Sequence, residues 1–548
     1  MTHRDGKRTA ARIGTAITLV LILLVAAWLR FTNLNWDEGQ WIHPDEGHMR
    51  IITGVIQMPT RVSGYFDTHT STLNPRNRGY DYSYGTLPLF ATRALGEWLD
   101  GVCAAGMSPQ ANSAQRALAE RLLAEDGGPC VPGSFVGSRS AEVGRALAAL
   151  AELGCVVIVF VLARRLYGGA VGLLAAALAA LTAFPVQQAH FFTVDCAASF
   201  FTLLTAYFSV RAVGLGDQAG VAAEMRLPWA DYALAGLATG CAAACKVSAG
   251  IAALLVVLAA LATLATRHRL RRPEGLVKLL LCLVLSGVCA FVAFRVGQPY
   301  AFEGPGFFGL RPSPDWLRRL AEISAEQSGR LDFPSGRQWA NRLPIVFPWI
   351  NITVWGMGLP LGIAAWLGWA YAGFELLRAK RFQHLVPWLW TTLVFLYLAT
   401  RWVKTMRYFL PLYPLLVMFG AYALLRLVAR ARSWLSRVGA GTVIGLVVLG
   451  TACWAAAIIS IYLRPHTRLA GSRWIYAHVP VGSAIANEHW DWGLPLRVDG
   501  HDPFGGMYRG IEMQHYDEDT EEKRERLYSW LDEADSVSYT HLTLPTIY

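Results

Sequence analysis

Two adjacent carboxylates, Asp45 and Glu46, follow the first apolar segment of the chain, with His43 and His48 on either side. A carboxylate held beside a membrane can act as a general base toward a hydroxyl group. Ionisable groups at membrane boundaries are costly to keep there, which favours a functional interpretation. The simpler alternative is a solvated acidic loop.

Other polar residues fall on the same predicted side of the membrane, at the ends of later apolar segments. They are Gln187, His190, Thr193, Asp195, Lys246, Arg295, Gln298, Arg337, Trp339, Arg342, Arg401, Lys404, Arg407 and Tyr408. Cations at such a surface can hold a phosphate leaving group while a carboxylate accepts a proton. Nucleotide sugars and ATP are not expected outside a cell, so the pattern favours a lipid-linked phosphate as the activated donor.

Several of these residues also have simpler interpretations. Arg401 and Lys404 have the alternative of extending to lipid head groups, as long basic side chains do at helix ends. His190 has the alternative of a structural histidine at a segment boundary. Lys246 and Arg407 are flanked by apolar runs, which favours a place in a site.

Motifs for other kinds of chemistry are missing from the sequence. It has no phosphate-binding loop, dinucleotide-binding fingerprint, zinc motif or nucleophile elbow. His43, His48, His190 and the carboxylates allow a divalent metal, but their spacing is no metal signature. No cofactor is therefore predicted.

The composition predicts a polytopic membrane protein. Hydrophobic residues make up 54% of the 548 residues, 16% are charged, and the mean hydropathy is +0.34. The net charge of +10 is then expected in loops beside the membrane, and no nucleic-acid partner is predicted. Apolar stretches long enough to span lie near 13–31, 143–165, 169–187, 195–214, 276–298, 352–378, 386–402, 407–428 and 438–462.

One further stretch, 231–266, is too long for a single span. As one helix it would extend about 54 Å, against roughly 30 Å of hydrocarbon, so two spans turning near Lys246 are predicted, for a total of eleven. With the N-terminus in the cytoplasm, the basic clusters at 164–165, 267–272, 378–381 and 426–437 then all fall inside. Residues 84–99 are predicted as an interfacial helix, because a span there would move residues 164–165 outside.

This topology predicts a multi-pass protein of the plasma membrane with a membrane domain over 1–464 and large extracytoplasmic loops at 32–142 and 299–348. Cys103 and Cys130, both in the first loop, are expected either to pair or to remain free thiols. The region 465–536 changes to a strand, loop and amphipathic helix pattern, which predicts the start of a small extracytoplasmic α/β domain, apparently truncated. Residues 537–548 resemble the translation of a sequencing-library adapter and are expected to be non-native.

The chain resembles the lipid-carrier-dependent glycosyltransferases of the GT-C fold, close to the protein O-mannosyltransferase-like and aminoarabinose transferase-like branch. The order of several short motifs along nearly the whole chain carries this resemblance. The motifs are His43-Pro-Asp-Glu46, Tyr84-Gly-Thr-Leu-Pro88, Gly144-Arg145, His190-Phe-Phe-Thr-Val-Asp195, Lys246, Gln298-Pro-Tyr-Ala-Phe302 and Arg407-Tyr-Phe-Leu-Pro-Leu-Tyr-Pro414. The resemblance implies an all-α membrane domain of about eleven spans with an outer C-terminal domain.

The resemblance also implies roles for particular residues. Asp45 would be the base that deprotonates an acceptor hydroxyl for attack on the anomeric carbon, with inversion. Glu46 would help to place acceptor or sugar, and Asp195 would be a second carboxylate of the site. Lys246 and Arg407 would be candidates for the phosphate of a polyprenyl-phosphate sugar donor. The remaining residues expected to bind substrate are His43, His190, Gln298 and Tyr408.

Two other functional classes use the same inventory of charges. A transporter or flippase of lipid-linked sugars would move its substrate past them, but the sequence has no evident internal repeat and its polar residues cluster at one face. A non-catalytic sensor or scaffold would give Asp45 no special value. The enzyme interpretation expects a protein or glycan acceptor, and no motif specifies that acceptor or the sugar.

Overall fold

A computed structural model describes residues 2–82, 84–121, 130–214, 229–267, 272–331, 334–489 and 492–538. Parts of several sequence predictions lie outside the described residues. These parts are residues 83 and 122–129 of the first loop, 268–271 of a basic cluster, 332–333 of the loop at 299–348, 490–491 of the C-terminal region and 539–548 of the tail.

Helices dominate the described part of the chain. In chain order they are α1 Thr2–Phe31, α2 Pro44–Val55, α3 Val62–Tyr65, α4 Thr86–Met107, α5 Ser113–Arg121, α6 Ser140–Tyr167, α7 Gly169–Ala180, α8 Ala183–Gln188, α9 Asp195–Val213, α10 Trp229–Cys245, α11 Ala253–Thr266, α12 Pro273–Gly297, α13 Pro314–Gln327, α14 Val346–Ile350, α15 Leu359–Ala379, α16 Leu385–Ala399, α17 Tyr413–Arg430, α18 Trp434–Tyr462, α19 Thr467–His478 and α20 Glu521–Glu533. The strands are β1 Phe302–Glu303, β2 Arg311–Pro312, β3 Ala484–Glu488, β4 Arg509–Met513 and β5 Ser536–Val537.

The predicted polytopic helical architecture is confirmed. Within the described residues, eight helical stretches are long and apolar enough to cross a membrane. The other three of the eleven predicted spans correspond to helices α7, α10 and α15. Helix α7 has only 12 residues and α10 has 17. The predicted break at Lys246 is present, because α10 ends at Cys245 and α11 follows a 3-10 segment, Val247–Ala252.

Close helix contacts hold the membrane domain together. Helix α17 is buried along most of its length against α6, α7 and α15. On α10, a Cβ atom at Gly236 or Gly240 would lie 2.1 Å from a carbonyl oxygen of α12, so glycine allows the two backbones to approach. Leu276, Leu280 and Val284 leave the other face of α12 exposed and apolar, as a face toward lipid requires.

The segment between α1 and α6 packs as a layer over one end of the bundle. Helix α4 runs from Thr86 to Met107, which is longer than the predicted 84–99, and it is not among the eight candidate spans of the described chain. Cys103 and Cys130 form a disulfide, so the pairing that the sequence left open is present. The bridge joins α4 to the loop before α6 and encloses α5.

The C-terminal region forms a small α/β unit. Strand β3 lies between β4 and β5, and both pairs are parallel. Ala484, Ala486, Ile511 and Met513 form the apolar side of this sheet beneath α20. The sheet confirms the predicted change to an α/β region. Val537, the first residue of the tail, pairs with Ala486.

Candidate active site

Asp45 lies in the first turn of α2, at the end of the bundle covered by the loop layer. Pro44 occupies the first helical position, where no backbone donor is needed, and a carboxylate in the first turn suits the positive end of the helix. The Tyr84 hydroxyl donates a hydrogen bond to Asp45 Oδ1 at 3.0 Å. Arg407, in the 3-10 turn Met406–Leu412 that precedes α17, pairs with Oδ2.

This pairing sets the protonation of Asp45. Burial by itself would raise the pKa of the carboxyl group, but the charge of Arg407 and the hydrogen bonds from Arg407 and Tyr84 outweigh it and lower the pKa to about 2. Asp45 is therefore ionised at neutral pH. While it is paired with Arg407 it is a weak base.

A second carboxylate–cation pair lies beside the first. Asp195 begins α9, and its Oδ1 is 2.6 Å from Nζ of Lys246, which lies at the break between α10 and α11. The same Nζ is 4.2 Å from the ring centre of Tyr408. Gln327, at the end of α13, donates to the Tyr408 hydroxyl at 2.7 Å. Four elements distant in sequence thus bring two carboxylates and two cations to one end of the bundle.

Glu46 points away from this group into the protein. Its two oxygens accept hydrogen bonds from Nε and Nη2 of Arg145, each at 2.7 Å, and Oε1 also accepts the backbone N–H of Phe192 at 2.6 Å. Arg145 in turn binds Asp37 at 2.9 Å. Glu46 is fully buried and both of its oxygens are occupied, so its contacts position α2 against α6. Its expected role in placing acceptor or sugar stays a prediction.

His190 and Gln298 also lie within the framework around the site. His190 is buried, contacts the carbonyl oxygens of Val186 and Thr32 through its two ring nitrogens, and stacks on Tyr462 at 3.8 Å. Gln298 Oε1 accepts from the backbone and hydroxyl of Thr86, both at 2.6 Å, which joins the start of α4 to the end of α12. The structure does not bring either residue to the two charge pairs.

His43 and His48 flank Asp45 on α2 and the turn before it. His43 packs on Phe191 with ring centres 4.5 Å apart, and His48 stacks on Tyr82 at 5.8 Å. Burial lowers the pKa of both rings, so both are neutral near pH 7. Among the described residues, His43 Nδ1 and His48 Nε2 are buried and have no hydrogen-bond partner. The expected contact of His43 with substrate stays a prediction.

The donor set does not fit a divalent metal. In the described ranges no three His, Cys, Asp or Glu side chains come together in a way that could hold an ion. His190 is already engaged with two carbonyl oxygens, and Asp45 and Asp195 are paired with cations.

Sequence analysis did not predict the roles of Tyr84, Arg145 and Asp37. Tyr84 and Arg145 lie in motifs that carry the resemblance, but their partners are 39 and 99 residues away. The sequence carried one clue, the glycine before Arg145. In the structure a Cβ atom at Gly144 would lie 2.1 Å from the ring of Phe192, so the loop before α9 packs directly on α6. Asp37 gave no comparable signal.

Comparisons with known proteins agree with this architecture. Residues 134–291 match the family model described as dolichyl-phosphate-mannose-protein mannosyltransferase. ArnT from Cupriavidus metallidurans, solved bound to undecaprenyl phosphate, is 16% identical with a TM-score of 0.51, over 96% of this chain and 90% of that one. The chain has the GT-C fold.

A second solved structure shares this fold. The oligosaccharyltransferase of Archaeoglobus fulgidus, solved with zinc and sulfate, is 15% identical with a TM-score of 0.50; the match covers 86% of this chain and 60% of the archaeal one. The chain thus spans about three fifths of the length of that protein. A search of curated protein sequences finds no match. The predicted resemblance to GT-C glycosyltransferases of the O-mannosyltransferase and ArnT type is confirmed.

Proposed function

We propose that this protein is an integral membrane glycosyltransferase that moves a sugar from a polyprenyl-phosphate carrier to a hydroxyl group of a protein or glycan. The observation that carries the proposal is the placement of Asp45 and Asp195 beside Arg407 and Lys246 at one end of a membrane bundle. A general base and two cations are what attack on a phosphate-activated sugar requires. The family match at 134–291 and the shared fold with ArnT support the same chemistry.

In the proposed reaction, the acceptor oxygen bonds to the anomeric carbon while the bond from that carbon to the phosphate oxygen breaks. The electron pair of the broken bond leaves with the polyprenyl phosphate. Asp45 takes the acceptor proton, and attack from the side opposite the phosphate inverts the anomeric centre. Arg407 and Lys246 stabilise the charge of the leaving phosphate.

Both cations of the site are already paired with carboxylates. Binding of the sugar donor therefore helps to activate Asp45 as a base. A phosphate that binds Arg407 competes with Asp45 for the guanidinium group. Loss of that partner removes the main cause of the low pKa of Asp45, so its strength as a base rises when donor is present. The site then has a proton acceptor only when a leaving group is in place.

The proposed location is the plasma membrane, with the N-terminus in the cytoplasm and the site and C-terminal domain on the outer side. Basic clusters at the opposite end of the bundle support this orientation. A carrier with a polyprenyl tail would enter from the bilayer, and the acceptor would approach from the aqueous side.

The test uses the protein in lipid nanodiscs with a panel of radiolabelled polyprenyl-phosphate sugars and membrane extract as acceptor. We expect the wild type to move label from lipid to acceptor and Asp45→Asn to lower the rate about 10³-fold, because the general base is lost. Asp315→Asn is the matched control, since Asp315 is an exposed carboxylate paired with Arg318 on α13.

Equal transfer by wild type and Asp45→Asn would contradict the proposed mechanism. Movement of intact lipid-linked sugar between leaflets of sealed vesicles, with no transfer to acceptor from any donor, would favour the flippase instead.

A further inference from the structure

A second charged cluster lies at the end of the bundle opposite Asp45. Glu375, near the end of α15, is buried and accepts hydrogen bonds from the hydroxyl groups of Tyr371 and Tyr422. His384 Nε2 is 3.3 Å from the same carboxylate, and its Nδ1 contacts the Tyr167 hydroxyl at 2.9 Å. Helix α17 separates this cluster from Arg407 by its 18 residues, about 27 Å.

Three arginines from two elements converge on Glu375. Arg426 Nη2 is 3.4 Å from the carboxylate, whereas Arg430 and Arg381 are each 3.8 Å away, too far for a hydrogen bond. The carboxylate neutralises one of three guanidinium charges. Two positive charges are therefore left at one place, where their mutual repulsion is costly without a further anion.

The arginines are also pre-arranged and incompletely bonded. The Arg430 guanidinium lies over the Tyr371 ring at 4.9 Å, which fixes its orientation. Among the described residues, Arg426 Nε is buried with no hydrogen-bond partner. The side chains of Arg381 and Arg430 are 42% and 58% exposed, so a ligand can reach the cluster from outside the bundle.

We propose that Arg381, Arg426 and Arg430, held by Glu375, form a binding site for the phosphate group of an anionic phospholipid in the leaflet opposite the Asp45 site. A guanidinium group can bind two phosphate oxygens at once through its fork of N–H donors. The three guanidinium groups here carry more N–H donors than the two oxygens of Glu375 can accept. The cluster lies where membrane-spanning helices end, which is the level of lipid head groups, so a lipid supplies the phosphate. This proposal does not depend on the proposed transferase activity.

The test is native mass spectrometry of the protein released from nanodiscs of phosphatidylcholine with or without phosphatidylglycerol. We expect wild type to retain phosphatidylglycerol in preference to phosphatidylcholine. Arg381→Gln and Arg430→Gln should each lower that retention about fivefold. Both side chains are partly exposed, so the variants are expected to fold, and size-exclusion chromatography checks this.

Arg437→Gln is the matched control. Arg437 lies at the same end of the bundle at the start of α18, but its Nε bonds to the Ala431 carbonyl and not to Glu375. Equal retention by wild type and both variants, or an equal loss in Arg437→Gln, would overturn the proposal. Displacement of phosphatidylglycerol by low concentrations of inorganic phosphate would assign the site to a soluble phosphate compound and overturn the lipid assignment.

Discussion

At the scale of single residues, the pair of Asp45 and Arg407 decides how the site responds to pH. A carboxyl group whose pKa falls from 3.8 to about 2 on folding adds stability that is present above pH 3.8. That stability is lost as the pH falls toward 2. Asp45 therefore remains charged at neutral pH, and Arg407 limits its basicity.

We predict that Arg407→Gln changes the pH dependence of transfer as well as its rate. Without the guanidinium group, burial is left as the main influence and raises the pKa of Asp45, so the acid limb of kcat/KM moves to higher pH. The maximal rate should fall about 10²-fold, because a group that stabilises the leaving phosphate is lost. Initial rates of sugar transfer between pH 4 and 8 measure both effects.

Arg401→Gln provides the comparison for that experiment. Arg401 belongs to the same loop, is exposed, and its guanidinium group lies 4.2 Å from the ring centre of Tyr397. Its replacement should leave the pH profile unchanged. Identical profiles for Arg407→Gln and wild type would rule out control of Asp45 by Arg407.

At the scale of elements, the position of α2 depends on contacts made by Glu46 with two distant segments. Glu46 binds Arg145 on α6 and the backbone of Phe192 before α9, so one carboxylate joins three parts of the chain. This arrangement fixes Asp45, the preceding residue, relative to Asp195 at the start of α9. The site is thus assembled from the starts of α2 and α9, the end of α10 and a 3-10 turn, and buried polar contacts hold these parts together.

We predict that Glu46→Gln lowers the free energy of unfolding by about 3 kcal/mol, because Arg145 loses one of its two buried carboxylates. Thermal unfolding in nanodiscs, followed by intrinsic fluorescence, measures the loss. Glu142→Gln is the control, since the pair of Glu142 and Arg139 is partly exposed and should contribute less than about 1 kcal/mol. A melting temperature of Glu46→Gln equal to that of wild type would show that α2 is held by other contacts.

Element positions were largely predictable from the sequence, whereas the partners of polar residues were not. Hydrophobic length alone predicted the break at Lys246, because a 36-residue helix exceeds the bilayer. Topology placed Asp45, Asp195, Lys246 and Arg407 on one side of the membrane, but it placed His190 and Gln298 there too and could not tell which of these residues meet. The pairing of Glu46 with Arg145 could not be predicted, because a contact between residues 99 positions apart leaves no local sequence pattern.

At the scale of the whole molecule, the disulfide between Cys103 and Cys130 indicates on which side of the membrane the loop layer lies. The bridge closes a separation of 27 residues. Disulfides persist on oxidising sides of membranes, so its presence agrees with the proposed outer position of the first loop. The sequence alone could not decide whether the two cysteines pair, because the distance between them depends on how α4 and α5 pack.

We predict that the double variant Cys103→Ser, Cys130→Ser loses about 3 kcal/mol of stability, because the unfolded chain gains freedom. Thermal unfolding with and without reductant measures this. Wild type should fall to the stability of the variant on reduction, and the variant should not respond. Both cysteines are buried, so the reductant is added at a denaturant concentration at which the loop opens. Equal stability of the oxidised wild type and the double variant would contradict the prediction.

The position of Lys246 also has a consequence for how the protein enters the membrane. In the proposed orientation Lys246 is at the tip of the α10–α11 hairpin, so its ammonium group must cross the hydrocarbon during synthesis. A lysine at the centre of an inserting segment costs about 3 kcal/mol, and the apolar residues on both sides offset this cost. Helix α9 is synthesised earlier and already carries Asp195 at the far surface, where the arriving cation finds its counter-ion at 2.6 Å. Biogenesis of the membrane domain and assembly of the candidate site therefore end in the same contact.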